Sequence, residues 1–417
     1  MNQLRYAARY FGGPSLQPYN RNLLEGGLKV FNEQYDGLAP LVCETGIDGV
    51  LIDFNSGLRL QVPEGNWHVR IADARSELIF LDEDVERVTL ISMEKFYIEW
   101  EIALWLDGEP VFFHQFDPTG QRVHFRFTRN AIGDNIALLP YVEEFRRVFD
   151  SEVSISIGAH MRDIVRNYFP RVKLIEGELD EVYATFYMSG WMNMPLATTS
   201  DVRSIPMEDF GRTILNTPRI QRAPKVIYKP TKPREIEGKY VCIGVHASAN
   251  PKCWLNPGGW DQVVDYLKSI GYRVLCIDRD RSRTDHDMTV EMPKGAEDFS
   301  GSYDLIDRIN QLAYADFFIG LGSGLSWLAW AVDIPVVLIS GITEPRCEFE
   351  SAYRVNNPLV CHGCYNDLRV NCLAISECIH YQGAPERRYE CSKEISARQV
   401  IATIDQLIAD HNLDGRN

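Results

Sequence analysis

The alternation of apolar and polar residues changes character along the chain. Between about residues 38 and 128 it comes in short runs: VCETGIDGVLIDF, LRLQVP, WHVRIAD, SELIFLD, VTLISME, FYIEWEIALWL, PVFFHQFD and RVHFRFT. Val, Ile, Phe, Tyr and Trp dominate them, and turn residues such as Asp107-Gly108-Glu109-Pro110 separate them. That spacing predicts an antiparallel β domain, a sandwich or a barrel. The first 37 residues show no clear periodicity. Beyond residue 129 helical periods alternate with continuous apolar strands. RNAIGDNIALLPYVEEFRRVFD puts Ile136, Leu139 and Val142 on one helical face, and VSISIGA, KLIEG and EVYATFYM follow as strands around a helix over 161–169. Pro, Arg and Lys crowd residues 196–238, and the part after Ile220 reads as a linker. A further α/β region opens at Tyr240 with YVCIGVHAS, a helix over 260–269, the strand YRVLCID and a helix over 305–313. The expected class is therefore α/β, two doubly wound, Rossmann-like domains facing across a cleft after an antiparallel β domain.

The chemistry concentrates where the pattern is sharpest, in ADFFIGLGSGLSWLAWAVDIPVVLISG over 315–341. Two apolar strands flank a glycine-rich turn, 320–324, that runs into an apolar helix. Glycines let backbone approach a ligand, and a helix start offers unpaired N–H groups and a positive dipole end. The turn predicts an anion site, most simply for a diphosphate, or else a packed strand–helix corner. It is neither a P-loop nor a G-x-G-x-x-G fingerprint. Upstream, Gly133-Asp134 opens the helix after residue 132. Asp134 reads either as an acid stabilising a helix dipole or as a carboxylate at the mouth of a βα unit, where open α/β sheets place ligands.

Composition narrows the function classes. A net charge of −15 opposes sequence-independent nucleic-acid binding and an anionic membrane as main partner. No run approaches the ~18 apolar residues of a spanning helix, and MNQLRYAARYFGGPS lacks a secretory h-region, so a cytoplasmic protein is expected. Its ten cysteines then read as thiols or metal ligands. Five fall within CHGCYNDLRVNCLAISECIHYQGAPERRYEC. Cys361, Cys364, Cys378 and Cys391 form an expected tetrahedral S4 site, which suits zinc or a single iron; Cys372 is the alternative to Cys378, and His362 and His380 are possible ligands to which four thiolates leave no vacancy. With every position filled by protein, the site is expected to be structural.

These segments carry a resemblance. AIGDNIALLPYVEEF, IGVHASANPKCWLNPGGW, FFIGLGSGLSWLAWA, VVLISGITEP and the cysteine insert resemble the bacterial autotransporter heptosyltransferases, relatives of the lipopolysaccharide heptosyltransferases, which lack the insert. The resemblance implies a GT-B enzyme that transfers heptose from ADP-glycero-manno-heptose to serines of an autotransporter adhesin passenger domain, with inversion. It also implies iron at the cysteines and a dodecameric ring. Asp134 matches the general base and Lys252 the lysine that neutralises the leaving diphosphate. Ser323, Gly324 and Leu325 match the donor-phosphate turn, flanked by Gly322 and Ser326. Trp254, Asp278 and Thr343 are further donor-side candidates, with Asp278 placed to meet ribose or adenine. The implied division is a β-rich domain over 1–125, acceptor-side and donor-side Rossmann-like domains over 126–225 and 226–345, the metal insert over 346–395 and a terminal helix over 396–417. Two departures flank the expected base: Thr128-Arg129-Asn130-Ala131-Ile132 replaces a proline and Gly-Thr pair, and Asn-Ile-Ala-Leu-Leu replaces an Ala-Trp run.

Overall fold

The computed structural model describes residues 6–12, 43–128, 130–177, 179, 181–188, 196–285, 288–370, 378–380 and 384–413. Arg129 and Cys372 lie outside the described residues. The chain divides into two compact units, one of Met1–Arg129, Leu138–Val202 and Asp209–Ala223, the other of Asn130–Ala137, Arg203–Glu208 and Pro224–Asn417.

The first unit contains strands β1 (Ala8–Phe11), β2 (Cys43–Glu44), β3 (Leu51–Asn55), β4 (Arg59–Val62), β5 (Trp67–Asp73), β6 (Ile79–Val85), β7 (Val88–Ser92), β8 (Trp100–Leu106), β9 (Glu109–Gln115), β10 (Arg122–Arg126), β11 (Glu152–Ser156), β12 (Lys173–Leu174) and β13 (Ala184–Tyr187). Strands β6-β5-β8-β9 form an antiparallel sheet of their own. Its period is two: Trp67, Val69 and Ile71 are buried, as are Trp100, Ile102 and Leu104, while Arg70 and Glu101 pair on the other face at 2.8 Å.

The other early strands do not close into a separate module. They join a nine-stranded sheet in the order β1-β7-β4-β3-β13-β10-β11-β12, with β2 on β3. The junction is parallel, Ala184 beside Phe54 and Thr185 beside Asn55. The reason is burial. Every residue of β4 and the central three of β3 are buried, so these strands need cover on both faces, as an α/β sheet provides. Helix α1 (Ile132–Phe149) supplies part of the core: Phe145 packs on Phe125 with centroids 5.2 Å apart and on Phe149 at 4.6 Å. Burying each such ring contributes about 1.5–3 kcal/mol. The short helices α2 (Arg162–Tyr168) and α3 (Phe210–Leu215) complete the unit.

In the second unit, strands β14 (Tyr240–Ile243), β15 (Arg273–Cys276), β18 (Glu297–Asp298), β19 (Phe318–Leu321), β20 (Val336–Ile339) and β21 (Arg354–Val355) form a parallel sheet in the order β18-β15-β14-β19-β20-β21. Between β15 and β18 the chain forms the hairpin β16 (Ser282–Asp285) and β17 (Met288–Glu291). Helix α4 (Gly259–Ser269) buries Trp260, Val263, Val264 and Leu267, one helical face. Helices α5 (Leu305–Leu312), α6 (Gly324–Val332) and α7 (Glu390–Lys393) lead to α8 (Ala397–Asp410). Ser396 and Gln399 close a capping box at the start of α8, which buries Val400, Ile404, Leu407 and Ile408 in the same core as α4. Strand order reverses between β14 and β19, so the crevice beyond their carboxyl ends is where an open α/β sheet takes a ligand. Among the described residues no helix is long and apolar enough to cross a membrane.

Candidate functional site

The turn between β19 and α6 lies at that crevice. Ser323 is the extended N-cap of α6, and its side chain makes no capping hydrogen bond. The first amides of the helix are thus left to a ligand or solvent. Residues 322–325 are half-buried, whereas Ser326 is fully buried and donates its hydroxyl to the Leu321 carbonyl at 2.6 Å. Ser326 therefore fixes the turn from inside.

The first residues of α1 belong to this unit, and close packing explains why. A Cβ on Gly133 would stand 2.6 Å from Cδ1 of Trp327, and one on Gly324 would stand 2.7 Å from Cβ of Ile132. Each helix start sets a glycine against a side chain of the other, Gly133 under Trp327 and Gly324 under Ile132, an approach that a larger residue would crowd. Asp134 lies in the first turn of α1, next to Gly133, and is partly exposed.

Lys252 ends a 3-10 turn, Asn250–Lys252, in the loop after β14. Burial pushes the Cys347 thiol up to about 12, Glu348 acts in the same direction, and Lys252 and Arg354 oppose them. Lys252 is thus close enough to Cys347 to favour its thiolate. The remaining donor-side candidates point inward. Trp254 is buried, stacks edge-on against Trp260 and donates Nε1–H to the Ile395 carbonyl at 2.8 Å. Asp278 is buried, and its carboxylate accepts the Val245 amide at 2.7 Å and the His246 amide at 3.3 Å. Burial raises its carboxyl above the usual range, with His246 opposing. Asp278 holds the loop after β14 in shape, with its oxygens facing protein rather than a ribose.

Thr343 is also buried, and it leads to residues that sequence reasoning missed. Its hydroxyl is 2.5 Å from Ser340 Oγ and donates to Glu348 Oε1 at 2.7 Å. Arg354 donates to Glu348 Oε2 at 2.6 Å and to the Thr343 carbonyl and hydroxyl at 3.1 and 3.0 Å. A Cβ on Gly322 would overlap Glu348 Oε1, so this buried ion pair sits directly against the turn. Five residues of irregular loop separate Glu348 from Arg354 at the start of β21, and no motif marks them.

The cysteine cluster follows β21. Cys391, on α7, is pushed up to about 12 by burial and then by the nearby thiols of Cys364, Cys361 and Cys378. Cys361 is raised by burial, Cys378 and Glu390. The Tyr389 amide donates to Cys378 Sγ at 3.3 Å. Among the described residues, the ligand atoms of Cys361, His380 and Glu390 lie within 4.8 Å of one another. Among the described residues His380 Nε2 is buried with no hydrogen-bond partner, while His362 is turned to the Val360 carbonyl at 2.8 Å. Of the two histidines in the insert, His380 is thus the one that stands beside Cys361. Cys391 is buried and the other three thiols are half-buried, and among the described residues no three of the four meet within 4.8 Å, so the expected four-thiolate geometry is not formed here. Neighbouring thiols, one already receiving an amide N–H, are nonetheless a donor set that suits a thiophilic ion.

Residues 46–108 match the N-terminal domain of glycosyltransferase TibC, and residues 215–374 match glycosyltransferase family 9 (heptosyltransferase). The chain is 35% identical to autotransporter heptosyltransferase BAHTCr of Citrobacter rodentium over 87% of its own length and 90% of the relative's. It is 30% identical to inactive autotransporter heptosyltransferase BimC of Burkholderia thailandensis over 86% of each. The crystal structure of bacterial iron-containing dodecameric glycosyltransferase TibC from enterotoxigenic E. coli superposes with a TM-score of 0.83 at 33% identity, over 89% of this chain and 99% of that one. TibC in complex with ADP-D-beta-D-heptose superposes equally well, at 32% identity. A family 9 glycosyltransferase from Veillonella parvula, 13% identical, shares the fold with a TM-score of 0.51 over 71% of this chain and 99% of that one. From these likenesses and the GT-B-like fold with its N-terminal antiparallel sheet, the chain belongs to the autotransporter heptosyltransferases, glycosyltransferases of family 9.

Proposed function

We propose that the chain transfers heptose from ADP-heptose to serine hydroxyls of an autotransporter adhesin passenger domain, with inversion. The observation that carries this reading is the close packing of the Asp134 turn on the start of α6 through Gly133 and Gly324. It supports a reading in which a carboxylate and a set of anion-seeking amides serve one site. The serine oxygen attacks the anomeric carbon from the face opposite the diphosphate while Asp134 takes its proton. As the anomeric carbon–oxygen bond to phosphate breaks, ADP leaves with the electron pair. The amides of Gly324 and Leu325 and the ammonium of Lys252 receive the growing charge, while the Ser323 amide, donated to the Leu321 carbonyl at 2.6 Å, holds the turn in shape. Gly322 keeps room for Glu348 beneath the turn. Asp278, Trp254, Ser326 and Thr343 act one layer further out, by shaping the loops.

Cys361, Cys364, Cys378 and Cys391 would hold an iron, with His380 adjacent; the ion supplies a cross-link for the 346–395 insert and no reaction step. The iron and the dodecameric state of TibC support the same assignments here, and a cytoplasmic location accords with a cytosolic nucleotide-sugar donor. Elemental analysis of the purified protein separates iron from zinc. Incubation with ADP-heptose and a co-expressed passenger domain should add the mass of one heptose per modified serine. Asp134→Asn should lower kcat by about 10²–10⁴-fold, the usual weight of a general base. Unchanged transfer by that variant would leave Asp134 as a helix-dipole residue only.

The inactive relative BimC favours a second reading, a non-catalytic assembly protein on the same fold. No mass increment with any nucleotide sugar would select it.

A further inference from the structure

The loop that carries Lys252 is tied on its downstream side to the helix that carries Cys391. Ser392, buried at 3% exposure, donates its hydroxyl to the Cys253 carbonyl at 2.5 Å and accepts the Leu255 amide at 2.8 Å. Asn256 Nδ2 donates to the Lys393 carbonyl at 2.7 Å, and Trp254 Nε1 to the Ile395 carbonyl at 2.8 Å. Four hydrogen bonds thus strap residues 253–256, immediately after the 3-10 turn of Lys252, onto α7 and the residues that follow it. Upstream, the same loop rests on the hairpin, through Asn250 Nδ2 to the Asp285 carbonyl at 2.8 Å and Arg283 to the Ser248 carbonyl at 3.1 Å.

Helix α7 is four residues long and begins at Tyr389, whose φ is +61°. A helix that short does not stand alone, and a tyrosine in left-handed backbone is strained. What fixes it is the cysteine cluster: Cys378 Sγ accepts the Tyr389 amide, Glu390 accepts the Cys361 amide at 3.0 Å, and Cys391 lies buried among the other thiols. The cluster is also sewn to the loop after β20, through the Gly363 amide to Gly341 and the Tyr365 amide to Ile342, each at 2.9 Å. Both loops at the nucleotide end of the sheet therefore take their positions from one centre.

We propose that Ser392 is a positioning residue that couples the metal-loaded cysteine centre to Lys252, so that loading the centre tightens binding of the nucleoside diphosphate. The inference rests on the donor assignment made above. Ion binding orders α7, and the Ser392 hydroxyl passes that order to the backbone of Cys253 and Leu255. Lys252 is then held ready rather than fixed at the moment the diphosphate arrives. If the competent loop population falls to about a tenth without this link, the apparent Kd rises about tenfold.

The test is an ADP titration by calorimetry on the full-length protein, wild type and Ser392→Ala, each metal-loaded and after chelation, with metal content measured throughout. Metal-loaded Ser392→Ala should keep its ion and bind ADP about tenfold more weakly, with a matching rise in donor KM. Ser392→Thr, which retains the hydroxyl, should recover much of the loss. Chelation should weaken ADP binding in wild type but add little in Ser392→Ala, a non-additivity that a merely structural serine would not give. If Ser392→Ala fails to fold, Asn256→Ala cuts another bond of the same strap and replaces it. Wild-type ADP affinity in the loaded serine variant, or unchanged affinity in folded, chelated wild type, overturns the coupling alone. A loaded wild type that binds no ADP overturns the donor assignment as well.

Discussion

Two buried carboxylate–guanidinium pairs invite comparison, Asp53–Arg59 in the first unit and Glu348–Arg354 in the second. In each, both side chains are less than a tenth exposed. Asp53 and Arg59 face each other across β3 and β4, and Arg59 Nε reaches the two carboxylate oxygens at 2.8 and 3.1 Å. Arg59 Nη2 donates to the same carboxylate, and the Asn55 amide adds a further bond at 3.1 Å on the same strand. Burial holds the Asp53 carboxyl above its usual range, and Arg59 only partly offsets it. This pair secures one strand register. Glu348 and Arg354 instead gather Ser340 and Thr343, and one Glu348 oxygen fills the space that Gly322 leaves open. Desolvation costs both pairs alike, so burial of charge does not itself mark a site. The difference lies in what the partners touch.

The largest effects should come from breaking the pairs. Asp53→Ala and Glu348→Ala each strand a buried arginine and should lose about 3–5 kcal/mol in urea unfolding. Only Glu348→Ala should also weaken ADP binding, by about tenfold or 1.4 kcal/mol, because only that pair supports the turn. Equal ADP affinities in the two variants would erase the distinction.

A second measurement probes a buried polar group in the sheet of Asp53 by a different route. His124 lies between Ser154 Oγ at 2.8 Å and Ser156 Oγ at 2.9 Å, and burial, with Arg126 adding to it, lowers its pKa to about 3. Below pH ~6.5 the unfolded chain takes up a proton that the folded imidazole refuses, so stability falls with pH until about 3. By pH 5 the loss should reach about 2 kcal/mol, and His124→Asn should remove that slope from the unfolding profile. The smallest effect belongs to Thr343→Val. It removes one hydroxyl from the Glu348 network and should cost about 1–2 kcal/mol in unfolding free energy, while the Asp53 pair is untouched.

The legible parts of the site were those written in periodic pattern. Two apolar runs around Gly320–Gly324 announced β19, the turn and α6, and Asp134 after Gly133 announced an acid in a first helical turn. Residue type misled where burial decides direction: Trp254, Asp278, Ser326 and Thr343 look like ligand contacts along the chain, and each spends its polar atom on backbone or a buried neighbour. Glu348 and Arg354 gave no signal, because a glutamate and an arginine near a strand are usually solvated. His380 was visible only as a spare ligand until its Nε2 proved buried beside Cys361. The split of the early strands between two sheets was equally hidden. β3 and β4 read as ordinary short strands, and only pairing at long range shows that they need cover on both faces.

That long-range pairing bears on how the chain is made. The sheet of β5, β6, β8 and β9 has all its strands once residue 115 has left the ribosome. Strand β3 waits for β13, and Thr185 bonds to Asn55 across 130 residues of chain. At ordinary elongation rates that interval lasts roughly ten seconds. Through it the Phe54–Asn55 end of β3, beyond the residues that β2 covers, lacks its strand partner. Slowed synthesis between residues 55 and 184 should prolong that exposure, and a holding chaperone should matter more to this early sheet than to the nucleotide unit that follows it.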